Sequence, residues 1–172
     1  VSLGAGDDTV TFTHASDLTD TDVIDGGAGT DTLVGVQAEL NALTTANNIS
    51  NIEVLQASDS FTGQLTTANV DSTIKSLTLA AGANAGTVTF GAGTNTLTLG
   101  TASAGALTVV DTGLATNDVL NIETSATANS GNGKALTVTG FETVNIDTST
   151  ATAKTLGAII VTGDPDSAGV NT

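Results

Sequence analysis

Six short runs in which Leu or a β-branched residue alternates with Thr or Asn constrain this chain most: Leu77-Thr78-Leu79, Thr87-Val88-Thr89-Phe90, Thr96-Leu97-Thr98-Leu99, Leu107-Thr108-Val109-Val110, Leu136-Thr137-Val138-Thr139 and Thr143-Val144-Asn145-Ile146. Period two sends alternate side chains to opposite faces, so each run reads as a strand with one buried face. From Leu77 to Leu120 the strands recur about every ten residues, separated by Gly-Ala-Asn turns such as Ala81-Gly82-Ala83-Asn84 and Gly91-Ala92-Gly93-Thr94-Asn95. A β-sandwich shares that spacing. Core and turn material separate the two, because sandwich cores rest on a large aromatic and their hairpins on Asn-Gly turns. With four Phe, no Trp, no Tyr and repeated Gly-Ala-Gly turns, the sequence predicts an all-β fold, a parallel β-roll or β-solenoid of short Thr-rich strands; the β-sandwich is the alternative.

One segment departs from period two. Val36, Leu40, Leu43 and Ala46 fall at helical spacing before Asn47-Asn48, which predicts a short helix that caps or flanks the stack. The expected organisation is repeats over 1–35, a helix and connector over 36–48, and a Thr-rich solenoid over 49–172. The initial Val in place of Met leads us to expect a piece of a larger protein.

Charge narrows the partners. Three Lys and Arg stand against 18 Asp and Glu, a formal net charge of −15, whose field repels nucleic acid and anionic lipid. At 39% hydrophobic residues and a mean hydropathy of +0.22, the chain is too apolar for a disordered acidic tail. Cations are the natural partners, and a divalent ion between repelling carboxylates stabilises the folded state directly. With no Cys and one His, the ligands are hard oxygens, so Ca2+ is the first candidate cofactor. No apolar run reaches the roughly 18 residues of a membrane span.

The most specific motif is Gly26-Gly27-Ala28-Gly29-Thr30-Asp31-Thr32-Leu33-Val34, which fills every fixed position of the glycine-rich calcium nonapeptide of parallel β-rolls. Glycine reaches backbone conformations closed to other residues and brings carbonyls close to an ion, while Asp supplies a carboxylate. Asp22-Val23-Ile24-Asp25 reads as the end of an earlier copy, with Asp22 nine residues before Asp31. Gly4-Ala5-Gly6-Asp7-Asp8-Thr9-Val10 aligns with Gly27 to Leu33, and Gly91-Ala92-Gly93-Thr94-Asn95-Thr96-Leu97 keeps the shape with Asn95 for the carboxylate. Neutral Asn95 weakens or abolishes ion binding there.

On these residues the chain resembles the RTX (repeats-in-toxin) calcium-binding family, and its Thr-rich strands resemble RTX-type bacterial surface-layer proteins. The strict resemblance covers residues 1–34. Ile52-Glu53-Val54-Leu55, Ile122-Glu123-Thr124 and Phe141-Glu142-Thr143-Val144 are similar to strands that follow such repeats. The resemblance implies ions between stacked turns, bound by the carboxylates of Asp8, Asp22 and Asp31 and by carbonyls near Gly4, Gly6, Gly27 and Gly29. It implies secretion to the bacterial cell surface and a structural, non-enzymatic role: a calcium-dependent S-layer segment that assembles with copies of itself into a lattice or filament. The alternatives are a stalk or carbohydrate-binding segment of a secreted adhesin, with cell-surface glycan as partner, or an export and folding appendage of a secreted enzyme.

Other residues have simpler readings. His14, Ser16 and Asp17 are adjacent in sequence, which does not make a triad. Glu53, Glu123 and Glu142 read as solvent-facing strand residues or caps, since an unpaired buried carboxylate is costly. Asp164-Pro165-Asp166 reads as a turn.

Overall fold

A computed structural model describes residues 1–45, 47–101, 103–113, 117–125, 134–148 and 157–163. The expected Asp164-Pro165-Asp166 turn lies outside them. The chain winds as a parallel β-solenoid of about six turns, and every strand pairing is parallel. Its strands are β1 (Ser2–Ala5), β2 (Thr9–Thr11), β3 (Val23–Ala28), β4 (Thr32–Gly35), β5 (Asn48–Ser50), β6 (Val54–Ala57), β7 (Phe61–Thr66), β8 (Ser76–Leu79), β9 (Ala83–Phe90), β10 (Thr94–Leu99), β11 (Leu107–Asp111), β12 (Val119–Thr124), β13 (Leu136–Thr139), β14 (Thr143–Asp147) and β15 (Ile159–Thr162).

Three sheets run along the stack. Strands β2, β4, β6, β8, β10, β12 and β14 form the long one, β7, β9, β11, β13 and β15 the second, and β1, β3 and β5 a third beside the first coils. Register partners lie 23 residues apart at Ser2 and Asp25, 20 apart at Ser76 and Thr96, and 29 apart at Leu107 and Leu136. Strands hold the stack in register while the connections vary in length.

Period two in the sequence becomes columns in the core. Leu33, Leu55, Leu77, Leu97 and Ile122 stack along the long sheet, and none is more than 1% exposed. Each such side chain contributes about 1.5–3 kcal/mol relative to an exposed one. The facing column is Leu65, Val88, Val109 and Val138, with Phe61, Phe90 and Phe141 buried as well. Parallel stacking of like on like explains how the chain packs without large aromatics.

The expected helix shrinks to one turn, α1 (Gln37–Leu40), with Val36 as its N-cap and Asn41 as its C-cap. Leu40 and Leu43 are buried as the spacing predicts, but neighbouring coils take hold of the polar residues around them. The Gln37 N–H donates to Asp59, Thr62 donates to the Gln37 side chain, and Asn41 donates to the Thr62 carbonyl. The Glu39 carboxylate receives the N–H groups of Asp17 and Leu18. These lateral bonds bind α1 to the flank of the coil, against β7. A second single turn, α2 (Thr67–Val70), carries no helical signal in the sequence. Ala46 lies outside the described residues.

Candidate ion-binding corner

The alignment of the two N-terminal motif copies is also their stacking register: Gly4 pairs with Gly27, Ala5 with Ala28, Thr9 with Thr32 and Val10 with Leu33. Gly27 has φ of 99°, and a Cβ there would lie 2.0 Å from the Gly4 carbonyl oxygen; at Gly29 it would lie 2.1 Å from that of Gly6. Only glycine permits both that backbone shape and that approach. The glycines therefore press the main chain of one coil onto the next, beside Asp8 and Asp31.

At this corner the chain leaves one sheet for the long sheet, and several of its N–H groups meet side chains in place of strand carbonyls. Carboxylates of the following coil take them. The Asp8 N–H donates to Asp31 Oδ1 at 2.9 Å and the Asp31 N–H to Glu53 Oε2 at 2.9 Å. Further along, the Gly93 N–H donates to Asp118 Oδ1 at 2.5 Å and the Asp118 N–H to Glu142 Oε2 at 2.5 Å. Glu53 and Glu142 are thus caps, while Glu123 is exposed on β12.

Register places Asp31, Glu53, Lys75 and Asn95 in one column, each just before the paired residues Thr32, Val54, Ser76 and Thr96. Each copes with the corner differently. Lys75 Nζ donates to the Ala92 carbonyl at 2.8 Å. Asn95, fully buried, turns its amide onto the carbonyls of Gly91 at 2.8 Å and Gly93 at 3.2 Å. Those glycines match Gly27 and Gly29 of the complete motif. Asn95 therefore brings its own donors to two turn carbonyls, while its Oδ1 is buried without a partner.

Asp31 is fully buried, and its Oδ2 has no hydrogen-bond partner, nor does Asp8 Oδ2. An unsatisfied buried polar atom costs about 1–3 kcal/mol, more when charged. Two carboxylate oxygens without a partner, on adjacent coils, are hard donors of the kind that suits calcium. Of the expected ligands, Gly4 pairs with Gly27, Gly29 packs on Gly6, and Asp8 meets Asp31.

Asp22 does not join them. Its carboxylate receives the N–H and hydroxyl of Thr19, and it precedes β3 whereas Asp31 follows it. Six strand residues span about 20 Å, so the two acids of this coil sit at different corners. Among the described residues no three His, Asp or Glu side chains form a group able to hold a metal, so this corner offers two carboxylates plus carbonyls.

A second set of acids was not anticipated. Asp111 ends β11, Asp118 precedes β12 and Glu142 precedes β14. Burial pushes the Asp111 carboxyl from 3.8 up to about 6; Asp118 and Glu142 beside it push the same way, and the Gly113 N–H opposes them. The pattern acid, any residue, apolar residue, shared by Asp31-Thr32-Leu33 and Asp118-Val119-Leu120, is the signal that marks Asp118.

Elsewhere the acids serve the fold. In a groove of about 290 Å³ beside α2, Asp71 accepts the N–H groups of Ile52 and Thr73. A groove of about 270 Å³ beside α1 holds Glu39 with the bonds given above. His14 Nδ1 lies 3.4 Å from Asp17 Oδ2 on the exposed surface, and the hydroxyl it meets is that of Thr13. Compared with protein-family models, curated proteins and solved structures, the chain matches none.

Proposed function

We propose that this chain is a calcium-dependent structural segment of a secreted bacterial surface protein, in which ions lock the solenoid and copies associate into a lattice or filament. The observation that carries the ion is the pair of buried oxygens without a partner on adjacent coils, Asp8 Oδ2 and Asp31 Oδ2, in a column where Asn95 instead turns its amide N–H groups onto two turn carbonyls. Asp8, Asp31 and the carbonyls of Gly4, Gly6, Gly27 and Gly29 would hold the ion, which neutralises the paired carboxylates and replaces the missing donors.

Two features support a structural role. Among the described residues many side chains go into stacking and corner capping, and β14 and β15, the last described strands of their sheets, carry exposed Ile146, Ile160 and Val161. Strand edges with apolar residues favour association with further strands. The two described helices are single turns, and among the described residues no helix is long and apolar enough to cross a membrane.

Calcium titration followed by circular dichroism and electron microscopy of the same samples tests this reading. β-signal and ordered sheets or filaments are expected to appear with calcium and vanish with chelator. Folding without assembly would leave a calcium-stiffened stalk; no response to calcium would overturn the ion corner.

A further inference from the structure

We propose that Asp111 and Asp118 form a second calcium site, where the chain passes from β11 to β12. Both side chains are more than nine-tenths buried, at 8% and 0% exposed. One oxygen of each is held by the main chain: Asp111 Oδ1 accepts from the Gly113 N–H at 2.8 Å, and Asp118 Oδ1 from the Gly93 N–H at 2.5 Å. These bonds fix both carboxylate planes. The other oxygen of each, Oδ2, is buried without a partner, although the two carboxyl groups lie within hydrogen-bonding reach of one another. Two ionised carboxylates have no hydrogen to share, so this approach is repulsive until something positive enters.

The charged groups that act on Asp111 are both acids, Asp118 and Glu142. Glu142 adds a third acid, with its Oε2 committed to the Asp118 N–H. Lys75, the cation of the neighbouring column, donates to the Ala92 carbonyl. A proton shared by Asp111 and Asp118 would satisfy the two oxygens but leave the acids of this corner with net negative charge in a buried place. A divalent ion satisfies both oxygens and neutralises the pair, and all-oxygen ligands select calcium over softer metals. Neither residue belongs to the complete nonapeptide, and Asp111 comes from a strand end, so this site stands or falls independently of the Asp8–Asp31 corner.

The test is calorimetric titration of the whole chain with calcium after removal of bound ions by chelator, for the wild type, Asp111→Asn, Asp118→Asn and Asp31→Asn. Asp111→Asn and Asp118→Asn are each expected to bind one ion fewer than the wild type, and Asp31→Asn to retain the ion they lose. An unchanged ion count in Asp111→Asn overturns the proposal, and if Asp31→Asn then loses an ion the N-terminal corner still stands. The wild type gives a second reading that does not depend on whether variants fold. In mildly acidic chelator buffer a proton shared by the two acids gives an infrared band of protonated carboxyl. Loss of that band on adding calcium supports entry of the ion between them; its persistence at saturating calcium overturns the site.

Discussion

Gly27 and Gly91 occupy the same place in two copies of one motif, yet the structure asks different things of them. Gly27 has positive φ and touches the Gly4 carbonyl, whereas Gly91 has open space where a Cβ would go and no positive φ. Gly27→Ala should cost at least the roughly 1–3 kcal/mol of a strained backbone, with the clash added. Because β1 and β2 stack directly on β3 and β4 through these glycines, hydrogen exchange should show protection lost first across β1 and β2. Gly91→Ala should change the melting temperature little; equal effects would refute the distinction. Motif matching gave the glycine positions and the pairing of Asp8 with Asp31. It misplaced Asp22, because spacing along the chain does not say at which corner a residue lands. It also missed the bonds from the Asn95 amide to the Gly91 and Gly93 carbonyls. Asn95→Asp should therefore lose about 1–3 kcal/mol in chelator through unsatisfied buried oxygens, regain it with calcium and bind one extra ion in a titration. A variant as stable as wild type without calcium would refute this account.

Strands were the most legible elements. All six alternating runs form strands, because a residue whose neighbours at i±2 share its face shows its burial in the sequence itself. The helix was less legible: Leu40 and Leu43 are buried at helical spacing, but the bonds from Asp59, Thr62 and Asp17 that hold α1 to one turn come from other coils. Position along the stack decides how much a core residue contributes. Leu77 is fully buried between Leu55 and Leu97, and Leu77→Ala should cost about 2.7–5 kcal/mol in chemical denaturation. Ile146 continues this column through Ile122 but is 41% exposed, so Ile146→Ala should cost well below that. A matching loss at both positions would mean that β14 is covered in solution, which assembly of copies would produce.

For the whole molecule, charge and stacking act against each other. The solenoid aligns carboxylates from successive coils along one corner, in a chain of net charge −15, while coil length varies from 20 to 29 residues. Asp111 makes the conflict measurable. Its folded carboxyl titrates at about 6 against 3.8 for the ordinary group, so between those values the folded chain holds a proton that the unfolded chain has released. Stability rises with pH only where the unfolded state binds more protons; here the folded state does. The contribution of this group is therefore fully present below pH 3.8 and is lost as pH rises through about 6. The groups facing it, Asp118 and Glu142, are acids and sharpen the loss, while the Gly113 N–H moderates it. In chelator, the stability difference between wild type and Asp111→Asn should shift in favour of the variant as pH rises across that window, because the neutral amide has no charge to bury. Thermal melts of both proteins at several pH values measure it, and parallel curves would show that Asp111 does not titrate as described. Calcium should cancel the shift at neutral pH in the wild type alone, tying acid and ion to the same pair of oxygens.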